Sequence, residues 1–209
     1  MLISRKCGFL FIHIYKNAGT SITSSLSSFT GQSRLLMTAN RIFKMVNIPT
    51  PFYDPQPFHD HITASELIDA MGKDLFNSFF SFAFVRNPWD WQVSLYKFML
   101  KEPKHHQHKL IKSLGNFEEY IEWRCENDLW FQKDFICSEN DELLIDFVGK
   151  FENIDADFRK ICSRIGISAS LPKLNVSNTK PYQEFYTDKS RELVRQSFAP
   201  DIELFEYEF

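Results

Sequence analysis

Gly8 to Ile14 is a short, nearly continuous apolar run, the pattern of a strand buried on both faces. It gives way to Tyr15-Lys16-Asn17-Ala18-Gly19-Thr20-Ser21, after which Ile22 to Phe29 reads as a helix. The same order recurs at Phe79 to Val85, a second apolar strand, followed by Arg86-Asn87-Pro88 and a helix from Trp89 to Leu100. Pro88 suits the first turn of that helix, where a missing N–H costs nothing. Thr63-x-x-Glu66, flanked by Ile62 and Leu67, is a capping box with a hydrophobic staple, so a helix is predicted from Thr63 to Gly72. Asn116 is predicted to cap a helix through Glu126. Leu144 to Glu152 reads as a strand, Asp155 to Ile165 as a helix ended by Gly166, and Thr187 to Phe198 as a late helix. Strands that enter helices directly predict an α/β fold with ligand sites at strand C-terminal ends.

Composition narrows the class. The chain has 209 residues, enough for one domain, read as 1–209, and too few for two full ones. Apolar residues at 44% allow a sizeable core, and 22 Phe against 7 Gly exclude low-complexity or collagen-like chains. Lys and Arg total 24 against 27 Asp and Glu, a net charge of −3 that gives no general attraction to nucleic acid or anionic membrane. No apolar stretch has the length of a membrane span. Arg5-Lys6 before the apolar run mimics a short signal peptide, but His13 interrupts it and no cleavage pattern follows. Cys7, Cys125, Cys137 and Cys162 are scattered, as expected of reduced, mostly buried thiols in a cytoplasmic protein. Thr30 to Pro57 holds four of the nine prolines and reads as an irregular, substrate-facing insertion.

Two segments carry chemistry. Lys16 to Ser21 lies between strand and helix, where backbone N–H groups converge on the helix N-terminus and form an anion site. Lys16 adds a point charge and Thr20 and Ser21 add hydroxyls, although the spacing is not that of a Walker A motif. An ordinary strand-to-helix turn with a surface lysine would look similar. In Phe84-Val85-Arg86-Asn87-Pro88-Trp89-Asp90-Trp91-Gln92-Val93-Ser94, Arg86 leaves the strand and Ser94 lies nearly two turns into the helix. A guanidinium fork with a hydroxyl suits a phosphate dianion, and an ion pair to Asp90 is the structural alternative.

Together these segments resemble the PAPS-dependent sulfotransferases, specifically the carbohydrate (membrane-type) superfamily and its bacterial soluble relatives. Phe58 to Ala64, Phe147 to Asn153, Leu174 to Ser177 and Asp201 to Tyr207 extend the likeness over nearly the whole chain. The resemblance implies a P-loop-like three-layer fold, a central mainly parallel sheet flanked by helices. It implies transfer of a sulfuryl group from 3′-phosphoadenosine-5′-phosphosulfate (PAPS) to a hydroxyl of a saccharide or small glycoconjugate. Lys16, Asn17, Ala18, Gly19, Thr20 and Ser21 map onto the 5′-phosphosulfate site, and Arg86 and Ser94 onto the 3′-phosphate site. Trp91 and Gln92 stand where many relatives carry Arg-Leu, which would remove a basic contact near the nucleotide.

The acceptor hydroxyl needs a base of near-neutral pKa, for which histidine is the natural choice. His59 and His61 precede the capped helix, whose positive end favours neutral imidazole. The resemblance places the base in this segment, with His61 the better match and His59 its neighbour; Lys16 would assist the leaving group. His13 reads as a packing histidine inside the first strand. His105, His106 and His108 fall among lysines, in a solvated loop and not a metal site, and no metal is expected. Lys180 is a candidate phosphate contact, in a segment where Asn175-Val176-Ser177 matches a glycosylation sequon. Trp89, Trp123 and Trp130 are read as core, one of them a candidate to stack on adenine or to line the acceptor cleft. A P-loop-like kinase and a catalytically silent nucleotide-binding interaction protein are the alternative readings. The sequence names neither the acceptor nor the oligomeric state.

Overall fold

In a computed structural model, residues 1–31, 38–39, 42–43, 45–46, 58–172 and 180–209 are described. The chain divides into two compact units, Met1–Phe84 with Phe135–Asn175 and Val85–Asp134 with Val176–Phe209. The predicted proline-rich insertion and the Asn175–Ser177 segment lie wholly or largely outside the described residues.

The first unit carries a four-stranded, mostly parallel sheet flanked by helices, so the chain is α/β and compatible with a P-loop-like fold. Its strands are β1 (Leu2–Ser4), β2 (Phe9–Ile12), β3 (Phe80–Val85) and β4 (Phe147–Lys150), in that spatial order. The apolar run predicted to be the first strand is the second. β1 precedes it and pairs antiparallel, Ile3 opposite Leu10, across a turn that Gly8 closes at φ 64°. Three apolar or small residues at the start of a chain carry too little periodicity to read as a strand, and only pairing with β2 makes them one. β2 and β3 are parallel, with Phe11 opposite Phe82, so both strands end at the same edge. Helix α1 (Gly19–Leu26) and helix α7 (Ile154–Arg164) cover the sheet through Ile22, Leu26, Phe158 and Ile161, which pack on Phe9, Phe11, Phe82 and Phe84. At about 25 cal/mol per Å² of apolar surface removed from water, these aromatic strands dominate the unit's cohesion.

Helix α2 (Ala64–Met71) begins as predicted. Thr63 accepts from Glu66 N–H at 3.2 Å, and Glu66 accepts from Thr63 N–H at 2.8 Å. Gly72, at φ 86°, ends it and starts the short α3 (Lys73–Asn77), which the sequence reading did not include.

The second unit is helical: α4 (Pro88–Lys101), α5 (His108–Ser113), α6 (Phe117–Asn127), α8 (Asp188–Ser197) and α9 (Ala199–Leu204). Asn116 caps α6 by accepting from Glu119 N–H at 3.0 Å, and Thr187 caps α8 in a reciprocal box with Ser190. The predicted histidine loop is partly α5, where His108 Nδ1 bonds the Met99 carbonyl at 2.8 Å. Lysines interleaved with histidines hide the helical period there.

Candidate active site

Helix α1 starts without a side-chain cap, because its N-cap residue is Ala18 in the left-handed conformation, φ 60° and ψ 18°. Lys16 is also left-handed, at φ 66°. Two non-glycine residues at positive φ within three positions are uncommon, and such alternation turns successive N–H groups toward one concavity. Asn17 is buried and locks the turn to the sheet by donating Nδ2–H to the Phe84 carbonyl at 2.9 Å. Thr20 is exposed and Lys16 and Ser21 are half-buried, so the turn offers a lysine and two hydroxyls beside an uncapped helix start.

His13 lies one residue beyond β2 and not inside it, a correction to the sequence reading. Its ring stacks on Phe11 and sits against Gly19, where a Cβ would fall 1.8 Å from Nε2. Glycine at 19 is thus demanded by the imidazole. Burial above all, then His61 and the amino terminus, lower the His13 pKa to about 3, so its ring is neutral.

His61 is exposed, and its ring centroid is 4.6 Å from that of His13 and 5.5 Å from that of Tyr15. Its Nδ1 lies 2.9 Å from the His13 carbonyl oxygen. A carbonyl can only accept, so Nδ1 carries the proton, and in the neutral ring Nε2 holds the lone pair. His59 is exposed two residues earlier.

In the second unit, Asn87 caps α4 by accepting from Trp89 N–H at 3.1 Å, with Pro88 in the first turn. Its amide also donates to the Glu208 carbonyl at 2.6 Å. Arg86 is 14% exposed and pairs through Nε with Asp90 at 2.7 Å, the alternative foreseen from the sequence. Ser94 is half-buried. Asp90, Ser94 and Lys97 recur at intervals of four and three, so they share one face of α4, and Arg86, just before the N-cap, meets that face through its ion pair with Asp90. Lys97, its Nζ 4.3 Å from the Phe185 ring centroid, has a pKa lowered mainly by burial, with Asp90 raising it and Arg86 lowering it. Trp91 and Gln92 are buried core residues: Trp91 packs edge-on against Phe198, and Gln92 accepts from the Tyr120 hydroxyl at 3.0 Å.

Residues 1–208 match the family model described as "Sulfotransferase family". The chain belongs to the sulfotransferase family. An uncharacterized protein of Archaeoglobus fulgidus is 28% identical over 116 residues, which cover 54% of this chain and 91% of that relative. The chain is therefore a transferase whose family chemistry is sulfuryl transfer. Around the two motifs of this sulfotransferase, sequence reasoning gave no site role to Gln132, Lys97 or Tyr15, and undervalued His13. An isolated Gln 46 residues from Arg86 carries no local signal; the spacing of Lys97 from Ser94 on one helix face was legible. Trp89 is buried and donates Nε1–H to the Arg191 carbonyl at 3.0 Å. Trp130, read as core, is instead 51% exposed, its indole N–H held by Asp128 at 2.7 Å. Lys180 is exposed and lies 3.6 Å from Glu184. Among the described residues no group of His, Cys, Asp or Glu is arranged to hold a metal, and no helix is long and apolar enough to cross a membrane. All four cysteines are free, Cys137 and Cys162 buried and the other two half-buried.

Proposed function

We propose that this chain moves a sulfuryl group from PAPS to an acceptor hydroxyl, with His61 as general base. Lys16 and the Asn17–Ser21 turn take the 5′-phosphosulfate, whose charge suits an uncapped helix start and left-handed backbone. Arg86 and Ser94 take the 3′-phosphate. The observation that carries the reading is the bond from His61 Nδ1 to the His13 carbonyl, which leaves Nε2 as the ring's proton acceptor. His61 Nε2 accepts the acceptor's proton as the acceptor oxygen bonds to sulfur and the bond from sulfur to the bridging phosphate oxygen breaks. Lys16 offsets the charge that grows on the departing phosphate, leaving 3′,5′-ADP.

The acceptor class that the resemblance supports is a saccharide or small glycoconjugate. The family match runs across both compact units, which supports a single sulfotransferase domain over 1–209. Four free thiols accord with a reducing, cytoplasmic location. No metal has a part in this scheme.

The experiment is His61→Ala assayed with PAPS and a panel of saccharide and small hydroxyl acceptors. Turnover should fall about 10²–10⁴-fold while affinity for 3′,5′-ADP stays within twofold, because the imidazole faces the acceptor and not the nucleotide. Near-normal turnover would move the base to His59 or elsewhere. Absence of turnover in the wild type across the panel, with nucleotide binding intact, would favour a silent binding protein.

A further inference from the structure

The Gln132 side chain is fully buried, and both ends of its amide bond the backbone of Arg86. Oε1 accepts the Arg86 N–H at 2.8 Å, and Nε2 donates to the Arg86 carbonyl at 2.8 Å. A side-chain amide carries the same donor and acceptor as a peptide, so this pairing prolongs strand-type bonding just past the end of β3. The clamp has its own anchor. Gln132 N–H and Lys133 N–H donate to the two carboxylate oxygens of Asp201 at 2.8 and 2.9 Å, and Asp201 has no exposed surface. The chain of contacts therefore runs from Asp201 to the backbone at 132–133, through the Gln132 amide to the Arg86 peptide. The Arg86 guanidinium is in turn fixed by Asp90.

Burying an amide and a carboxyl is costly unless every bond is made. Burial raises the Asp201 pKa to about 6 even though two backbone N–H bonds pull it down, a measure of that cost. An arginine serving only a surface ion pair needs no such framework, since exposed pairs contribute little. An arginine that must meet a dianion in one orientation gains from it, because ordering done in folding is not charged against binding.

We propose that Gln132, anchored by Asp201, is a positioning residue that fixes the Arg86 peptide so that the guanidinium is pre-set for the 3′-phosphate of the nucleotide. The proposal rests on the reading of Arg86 as the 3′-phosphate ligand.

The test compares calorimetric affinities for 3′,5′-ADP and 5′-AMP, which differ only in the 3′-phosphate, so their ratio isolates that group. Wild type, Arg86→Ala, Gln132→Met and Gln132→Asn are measured, with thermal melting as a control for folding. Gln132→Met keeps the volume and removes both bonds; Gln132→Asn keeps the chemistry and shortens its reach. Both should lower the ADP-to-AMP affinity ratio roughly tenfold while leaving AMP affinity unchanged. Equal weakening of both nucleotides, or a lowered melting temperature with the ratio intact, makes the clamp merely structural and overturns the proposal. So does failure of both Gln132 variants to fold. An unchanged ratio in Arg86→Ala overturns the phosphate assignment and the proposal with it. A ratio lost in Arg86→Ala but kept in both Gln132 variants overturns the positioning role alone.

Discussion

His13 contributes three things from one position: a carbonyl that fixes the His61 tautomer, a ring that fills the space at Gly19, and a titration. Its folded pKa of about 3 lies below the ordinary 6.5, so above pH 6.5 the ring is neutral in folded and unfolded chains alike. As pH falls from 6.5 toward 3 only the unfolded chain takes up the proton, and stability is lost through that window. The loss attributable to His13 should be about 2–3 kcal/mol at pH 4.5 relative to pH 7. Asp201 acts in the opposite sense. Its folded pKa, raised to about 6, means that the folded chain binds the proton first as pH falls, so stability rises as pH drops from 6 toward 3.8. Urea unfolding of wild type and His13→Gln at both pH values separates the two: the variant should lack the His13 loss while keeping the gain from Asp201. Equal acid sensitivity in both proteins would place a proton on His13 in the folded state and contradict its burial.

Among the elements, α1 depends most on its first residue. Alanine is ordinarily the better helix former by roughly 0.5–1 kcal/mol, so Gly19→Ala would stabilise an unobstructed helix start. Here the new Cβ meets the His13 ring. Gly19→Ala should therefore destabilise by about 1–3 kcal/mol, the scale of overpacking, and should cost turnover by displacing the residue that holds His61. The double variant His13→Ala/Gly19→Ala should regain stability relative to Gly19→Ala, a coupling that denaturant unfolding reads directly. Helix α4 depends instead on its cap: Asn87 satisfies the Trp89 N–H and ties the helix start to the Glu208 carbonyl, so the start of α4 is fixed on two sides.

At the scale of the whole molecule, a nucleotide that binds only the folded chain must raise its melting temperature by mass action. Saturation with 3′,5′-ADP at a hundred times its dissociation constant should add about 2.7 kcal/mol, a shift of roughly 5–10 °C for a chain of this length. ATP at the same concentration should shift it little, since it lacks the 3′-phosphate assigned to Arg86 and Ser94. Turnover should persist in excess chelator, because the proposed mechanism gives charge neutralisation to Lys16 and backbone N–H groups. A larger shift with magnesium ATP, or loss of turnover on chelation, would point to a kinase.

Local pattern determined much of this protein. Apolar runs gave β2 and β3, the Thr63–Glu66 box gave α2, Asn116 and Thr187 gave the starts of α6 and α8, and Gly166 marked the end of α7, because each rests on contacts within a few residues. The two segments proposed to take the nucleotide's phosphates stand out in the sequence for the same reason, each being a short run between a strand and a helix. Tertiary structure decided what depends on residues far apart. β1 is a strand only because β2 lies beside it. The left-handed turn at Lys16 and Ala18 is held through the bond from Asn17 to Phe84, 67 residues away. His13 became a partner of His61 when a loop 48 residues on met its carbonyl. Gln132 reached Arg86 across 46 residues, held by Asp201 from 69 further on. A hydrogen bond across such separations leaves no periodicity in the sequence, so only the folded chain reveals it.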